Sequence, residues 1–214
     1  MNKAFIFDMD GVLVDSEHAW TKFKMPMLEK LIGKKLAHEI GPTPGLGVEG
    51  VFEKVQATGS TVTEEDIARG FDTIFRDVYA HSSITEGLDV LGEKLIKLGY
   101  KLGLVTQSPR KWLEYVLPRI PIREHLEVIV CLGEHPELRR KPAPDGYLEA
   151  FRELDAEPKT SFVLEDSNLG IQAAKASGAY TIGFRGNLLP GYEQQGADAY
   201  ADTMEDVAAI VAVQ

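Results

Sequence analysis

The chain has 214 residues, of which 44% are hydrophobic and 26% are charged, and its formal net charge is −10. This length and composition are typical of one globular domain, alone or with a smaller second domain. The negative charge argues against unaided binding to nucleic acid or to an anionic membrane, because both are polyanions. A small anionic substrate is not excluded, since a bound divalent cation can supply local positive charge.

The cysteine content and the lengths of the apolar runs predict where the protein is located. The single cysteine, Cys131, excludes an intramolecular disulfide and favours a reducing cytoplasm. Its apolar flanks predict a buried, unreactive thiol. The apolar run before the first aspartate is too short for a signal peptide, and no run approaches the length of a membrane span. We therefore expect a cytoplasmic protein.

The first predicted element is a strand over residues 4–8, which runs directly into two carboxylates. Asp8 and Asp10 are separated by Met9, so strand alternation lets both side chains point the same way, while Gly11 permits a tight turn. A solvated turn after a strand is the simplest interpretation. The alternative is a catalytic pair of carboxylates that binds a metal ion.

Residues 16–83 are predicted to be helical and to form a small cap domain inserted after the first strand. The remaining core domain would comprise residues 1–15 and 84–214. Apolar residues recur at helical spacing in three segments, residues 17–33, 46–56 and 63–80. The sequence GLGVEG (45–50) fits a dinucleotide-binding pattern, but two prolines precede it where that pattern needs a strand. We expect a loop that leads into a helix.

Beyond residue 84, short apolar runs alternate with helical patterns. The predicted strands cover residues 101–107, 127–131, 161–166 and 179–184. The predicted helices lie in residues 88–99, 108–117, 145–156 and 167–178. Ser108 and Pro109 are predicted to begin a helix, and Gly99 and Gly178 to end helices. This order predicts an α/β fold with a doubly wound, mostly parallel sheet covered on both faces, plus the inserted helical cap.

Polar residues recur at the carboxyl ends of these strands, where ligands bind in such sheets. They are Asp8 and Asp10, then Thr106 to Ser108, then Lys141, then Glu165 and Asp166. Each group alone has a structural explanation, such as a turn, a helix cap or a loop lysine. Together, the acids would repel one another unless a hard cation such as Mg²⁺ lay among them. Such a site, with a lysine and hydroxyl donors, suits phosphoryl transfer.

Three motifs, DMDGVLVDSE, KPAPDGY and EDSNLGIQAA, together resemble the haloacid dehalogenase superfamily, in its branch with a helical cap after the first motif. That branch includes phosphoglycolate phosphatase, sugar-phosphate phosphatases and β-phosphoglucomutase. The resemblance implies that Asp8 is the nucleophile and forms an aspartyl-phosphate. It also implies that Asp10 protonates the leaving oxygen and then activates water. Lys141 would orient the nucleophile and the phosphate.

The resemblance further implies a phosphate site and a metal site. The hydroxyl of Thr106 and the main-chain N–H groups of Met9, Asp10 and Gln107 would hold phosphate oxygens, and Ser108 belongs to the same predicted group. Asp8, Asp166, the neighbouring Glu165 and the main-chain carbonyl of Asp10 would bind Mg²⁺.

Two departures leave the non-phosphate part of the substrate undefined. Relatives often carry His five residues after the position of Asp15, whereas this chain has Trp20. Trp20 lies at helical spacing from Phe23 and Met27, which favours a role in the core of the cap. The segment GPTPGLGVEG (41–50) also lacks the basic residue that relatives acting on sugar phosphates often carry there.

The sequence therefore predicts a Mg²⁺-dependent phosphatase acting on a small phosphorylated metabolite, without nucleic acid or membrane partners, as a monomer with an oligomer left open. A phosphomutase acting on a hexose phosphate is the main alternative, because it shares the first half-reaction. A dehalogenase is less favoured, since it has little use for Asp10 and the metal carboxylates. A phosphonate-cleaving enzyme is also less favoured, since it needs a cap lysine that forms a Schiff base, and Lys34 and Lys35 are only weak candidates for that role. A phospho-receiver module is least favoured, because it needs about half this length and no cap.

Overall fold

The computed structural model of the chain describes residues 2–41, 43 and 46–214. It divides into two compact units, one comprising Met1–Asp15 and Ile84–Gln214 and the other Ser16–Ser83. No helix within the described ranges is long and apolar enough to cross a membrane. The assignment of these segments as a catalytic core and a cap stays a prediction.

In chain order the strands are β1 (Lys3–Phe7), β2 (Val14–Asp15), β3 (Ser83–Ile84), β4 (Tyr100–Thr106), β5 (Leu126–Cys131), β6 (Phe162–Glu165), β7 (Tyr180–Phe184) and β8 (Ala199–Ala201). The first unit is built on six of them, all parallel, in the order β5-β4-β1-β6-β7-β8, with helices around them. The two-residue strands β2 and β3 lie where the chain passes from one unit to the other. The α-helices are α1 (Glu17–Ile32), α2 (Lys34–Ile40), α3 (Val48–Ala57), α4 (Glu64–Ala80), α5 (Leu88–Lys97), α6 (Arg110–Val116), α7 (Asp145–Glu153), α8 (Asn168–Ser177) and α9 (Met204–Val213).

Strand β1 lies at the centre of the sheet because almost every one of its side chains is apolar. The residues from Ala4 to Phe7 are all fully buried, as a strand covered on both faces requires. Ala4 and Ile6 belong to an apolar cluster that also contains side chains of α7 and α8. The rings of Phe5 and Phe7 contact each other, with centroids 4.7 Å apart.

The strand register brings the ends of β1, β4 and β6 to one level. Phe7 is paired with Leu104 on one side and with Leu164 on the other. The next residue of β1's chain, Asp8, therefore lies level with the end of β4 and with Glu165. The parallel sheet and its flanking helices confirm the predicted fold class.

Several predicted elements differ in detail. Strand β1 ends at Phe7, one residue earlier than predicted. Helix α6 begins at Arg110 with Pro109 as its N-cap residue, so the prediction that Ser108 caps it is wrong. Helix α8 ends at Ser177 and is capped by Gly178, which has φ +88° as predicted for a C-terminal glycine. The short edge strand β8 and helix α2 were not predicted.

In the helical unit, Trp20 is buried and its ring centroid lies 5.4 Å from that of Phe71 and 5.9 Å from that of Tyr79. These contacts support its interpretation as a core residue. Helix α3 begins at Val48 directly after Gly47, so the GLGVEG segment leads into a helix, as predicted. Pro42, Pro44 and Gly45 of the predicted loop lie outside the described residues.

Candidate active site

Asp8 is held at the carboxyl end of the central strand because its backbone continues the pairing of β1. The Asp8 N–H donates to the carbonyl oxygen of Leu164 at 3.0 Å, and the residue is 7% exposed. The chain then turns back tightly, with the N–H of Gly11 donating to the carbonyl of Val14 at 2.8 Å. Gly11 has φ +77°, which disfavours any residue with a side chain.

Gly11 also permits a close approach between two parts of the candidate site. A Cβ atom at this position would lie 2.0 Å from Oδ2 of Asp166. From another loop, the amide of Asn187 donates to the carbonyl of Gly11 at 3.2 Å and to Oγ1 of Thr85 at 2.8 Å. Asn187 cannot be predicted as a site residue from the sequence, because no local pattern links it to a turn so far away in the chain.

Lys141 lies between two carboxylates. Its Nζ is 2.5 Å from Oδ1 of Asp8 and 2.6 Å from Oε1 of Glu165, and the residue is buried. Nζ is also 3.5 Å from the carbonyl oxygen of Val105, at the end of β4. The end of β1 and the loop before α7, which are far apart in sequence, thus bring the predicted nucleophile and the predicted lysine into direct contact.

Glu165 is fully buried, and both of its carboxylate oxygens accept hydrogen bonds. Oε1 accepts from Lys141 and, at 2.5 Å, from the hydroxyl of Tyr147. Oε2 accepts from the N–H of Asp166 at 3.1 Å and from the N–H and hydroxyl of Ser167, each at 3.3 Å. Each of these contacts compensates part of the cost of burying the charge.

Tyr147 was not predicted as a site residue. The sequence signal for it is its place in the motif KPAPDGY, which begins with Lys141. If this tyrosine is buried, its hydroxyl needs a hydrogen-bond partner.

Burial is the largest single influence on the pKa of three groups in this cluster, Asp8, Lys141 and Tyr147. It raises the pKa of Asp8 to about 8, against the lowering effect of Lys141. Burial alone would lower the pKa of Lys141, but Asp8 and Glu165 more than offset it, so the net shift is upward. Burial, and then Glu165, raises the pKa of the Tyr147 hydroxyl, which therefore remains a donor. One ammonium group thus faces two carboxyl groups, and a bound cation would favour the ionised form of Asp8.

The acidic side chains are grouped closely enough to hold a metal ion. One carboxylate oxygen from each of Asp8, Glu165 and Asp166 lies within 4.8 Å of the other two. An all-oxygen donor set with excess negative charge fits a hard cation such as Mg²⁺. The side chain of Asp10 takes another direction, since its Oδ2 accepts from the Ser108 hydroxyl at 2.7 Å.

The predicted phosphate-binding residues follow β4 and β1. Thr106 is buried, and its Oγ1 accepts from the N–H of Ser108 at 3.0 Å. Gln107 has a buried Oε1 that lacks a hydrogen-bond partner among the described residues. The side chain of Met9 is fully buried, so only its backbone is suited to contact a ligand. Cys131, at the end of β5, is also buried, and burial raises its thiol pKa to about 11.

Comparison with known proteins agrees with this architecture. Residues 5–184 match the family model described as haloacid dehalogenase-like hydrolase. Hexitol phosphatase B of Escherichia coli (strain K12) is 29% identical over 182 residues, which cover 81% of this chain and 79% of that protein. Phosphoglycolate phosphatase of Nitrosococcus oceani is 28% identical over 184 residues, covering 80% and 79%.

Among solved structures, CbbY from Rhodobacter sphaeroides in complex with phosphate superposes with a TM-score of 0.72 at 25% identity. The match covers 97% of this chain and 96% of that one. These findings confirm the resemblance identified from the sequence and the expectation of a phosphoric monoester hydrolase.

Proposed function

Because the chain belongs to the haloacid dehalogenase-like hydrolase family, we propose that it is a Mg²⁺-dependent phosphatase that hydrolyses a small organic phosphate monoester through an aspartyl-phosphate. The names of its relatives, a hexitol phosphatase and a phosphoglycolate phosphatase, support a sugar phosphate or a similar small substrate. The observation that carries the proposal is the buried contact between Asp8 and Lys141, beside two further carboxylates.

Asp8 is the proposed nucleophile. Its carboxylate oxygen attacks phosphorus, and the bond from phosphorus to the ester oxygen breaks. Lys141 is within reach of both Asp8 and a phosphoryl group held there, so its ammonium offsets the negative charge that gathers during transfer. The hydroxyl of Thr106 and the N–H groups of Met9, Asp10 and Gln107, with Ser108 nearby, form the proposed phosphate cradle.

Asp10 is the proposed general acid and base. It gives a proton to the departing ester oxygen and later takes one from the water that attacks the aspartyl-phosphate. That second attack breaks the bond between phosphorus and Asp8, which releases inorganic phosphate and restores the carboxylate. The hydrogen bond from Ser108 to Asp10 fixes the direction of this side chain.

Asp8, Asp166 and the main-chain carbonyl of Asp10 are the proposed Mg²⁺ ligands. When bound, Mg²⁺ would neutralise charge on the phosphoryl oxygens and favour the ionised form of Asp8. Glu165 remains a candidate ligand by distance, but its five hydrogen bonds favour a role in holding Lys141 and the start of α8. The cap role of residues 16–83 and the cytoplasmic location stay predictions.

A release assay over a panel of phosphate esters tests the proposal. The wild-type protein should release inorganic phosphate with Mg²⁺ and lose this activity in chelator. Asp8→Asn should abolish release while the protein stays folded. The matched control is Asp89→Asn, an exposed aspartate of α5, which should retain wild-type activity.

The other outcomes point to specific alternatives. Isomerisation of a sugar phosphate without phosphate release would favour the phosphomutase. A stable phosphoprotein without turnover would favour a phospho-receiver. Full activity of Asp8→Asn, or turnover that survives chelation undiminished, would contradict the mechanism.

A further inference from the structure

Tyr147 carries a hydroxyl that the proposed reaction does not use. The residue lies in the first turn of α7, is 1% exposed and belongs to the apolar cluster that contains Val105, Phe151 and Val163. A phenylalanine would bury nearly the same apolar surface, so the hydroxyl needs a separate explanation. Within the part of the chain that the structure describes, this hydroxyl makes one hydrogen bond, to Oε1 of Glu165 at 2.5 Å.

That bond connects Tyr147 to the proposed nucleophile. Oε1 of Glu165 also accepts from Lys141 at 2.6 Å, and Lys141 contacts Asp8 at 2.5 Å. The Lys141 ammonium is in addition 5.2 Å from the centroid of the Tyr147 ring. Oε1 of Glu165 thus accepts from two strong donors, the Tyr147 hydroxyl and the Lys141 ammonium. The ammonium also donates to Asp8.

The rest of Glu165 is held in place. Its other oxygen, Oε2, accepts from the N–H of Asp166 and from Ser167 at the start of α8. The carboxylate therefore has little freedom to rotate, and Oε1 must remain directed at both Tyr147 and Lys141. An acceptor oxygen shared by two donors attracts each of them less strongly than it would attract one alone.

We infer that Tyr147 is a positioning residue: by sharing Oε1 of Glu165, its hydroxyl limits the hold of Glu165 on Lys141 and keeps the ammonium at Asp8. The effect on catalysis rests on the proposed phosphatase function, whereas the effect on the position of Lys141 does not. The ring of Tyr147 is not part of this inference, because a phenyl ring would attract the ammonium equally well.

Tyr147→Phe tests the inference, since it removes the hydroxyl and leaves the ring. We expect kcat to fall roughly 10- to 100-fold, the range for losing a hydrogen bond to a charged group. KM should stay within about threefold, because Lys141 acts mainly on charge that develops during transfer. The control is Tyr180→Phe, which removes a hydroxyl that accepts from Gln214 at 3.3 Å near the surface. Wild-type kcat in Tyr147→Phe would overturn the inference.

A double-mutant cycle tests whether the hydroxyl acts through Glu165. In a Glu165→Gln background the neutral amide holds the ammonium weakly, so the further loss from Tyr147→Phe should be less than about threefold. An equal loss in both backgrounds would overturn the inference, because the hydroxyl would then act by another route. Melting temperatures of all four proteins show whether any loss reflects unfolding.

Crystal structures of the wild type and of Tyr147→Phe give a readout that needs no activity. The distance from Lys141 Nζ to Asp8 should be longer in the variant, with the ammonium closer to Glu165. An unchanged position of Nζ would overturn the inference. If the wild type releases no phosphate from any ester with Mg²⁺, the proposed function fails, and this comparison still decides whether Tyr147 positions Lys141.

Discussion

Gly170 provides a direct test of how tightly the candidate site is built. It is the third residue of α8 and has an ordinary helical backbone, so alanine should suit the helix better by about 1 kcal/mol. However, a Cβ atom at this position would lie 1.9 Å from Oε1 and 2.1 Å from Oε2 of Glu165. Substitution by alanine therefore has two opposing effects on stability. It favours the helix, and it displaces the buried carboxylate of Glu165.

The expected size of the effect follows from these distances. Real Cβ contacts are essentially never shorter than 3.0 Å, so Oε1 must retreat by at least 1.1 Å, the difference between 3.0 and 1.9 Å. Such a shift breaks the bonds that Lys141 and Tyr147 make with it at 2.6 and 2.5 Å. Disrupting a buried ion pair costs about 3–5 kcal/mol. After the helix gain, Gly170→Ala should lose about 2–4 kcal/mol of unfolding free energy.

Calorimetry and the phosphate-release assay together measure this effect. The melting temperature should fall by roughly 5–15 °C. The kcat should fall as well, because the displaced Oε2 of Glu165 no longer accepts from the N–H groups of Asp166, a proposed Mg²⁺ ligand, and of Ser167. Gly133→Ala is the control, since among the described residues, its two chain neighbours aside, no heavy atom would lie within 4 Å of a Cβ atom there. A Gly170→Ala protein as stable and as active as the wild type would refute the claim that Glu165 must occupy this position.

Three further predictions follow from the same cluster. Ser108→Ala removes the 2.7 Å bond to Asp10, so kcat should fall roughly tenfold with little change in melting temperature, and an unchanged kcat would show that Asp10 needs no such support. Since burial raises the pKa of Asp8 to about 8, the metal-free protein retains a proton there that Mg²⁺ must displace. Titration calorimetry should therefore show Mg²⁺ affinity rising about tenfold per pH unit up to about pH 8, whereas a constant affinity from pH 5 to 8 would contradict this assignment. Lys141→Met leaves Asp8 and Glu165 buried without their shared ammonium, so kcat should fall on the order of 10²-fold or more and the protein should melt at a lower temperature; retained turnover would argue against a role for this lysine.

Much of the fold could be predicted because the central strands are simple apolar runs. Residues 4–7 are all buried, and such a run has few other stable placements than the middle of a parallel sheet. Parallel register then brings the ends of β1, β4 and β6 together, so that the polar residues after each strand meet. The edge strand β8 could not be predicted, since three residues, Ala-Tyr-Ala, carry almost no pattern.

Features of the site that depend on distant residues were not accessible from the sequence. Ser108 before Pro109 is a strong local signal for a helix start, but its hydroxyl instead donates to Asp10, 98 positions away. The sequence places Glu165 with the predicted metal ligands because it adjoins Asp166, whereas the side chains of Lys141 and Tyr147 converge on it only in the folded chain. Tyr147 cannot be recognised as a site residue from the sequence, because packing in the core is the ordinary explanation of an aromatic residue in an amphipathic helix.

The central claim is that the Asp8 carboxylate becomes phosphorylated during turnover. Acid quenching of the enzyme with substrate and Mg²⁺, followed by borohydride reduction, would convert an aspartyl-phosphate to homoserine, which peptide mass spectrometry can locate. We expect homoserine at position 8, dependent on substrate and absent from Asp8→Asn. Homoserine in place of another aspartate would contradict the mechanism. The absence of homoserine from an enzyme that turns over with a demonstrated burst of product would contradict it as well.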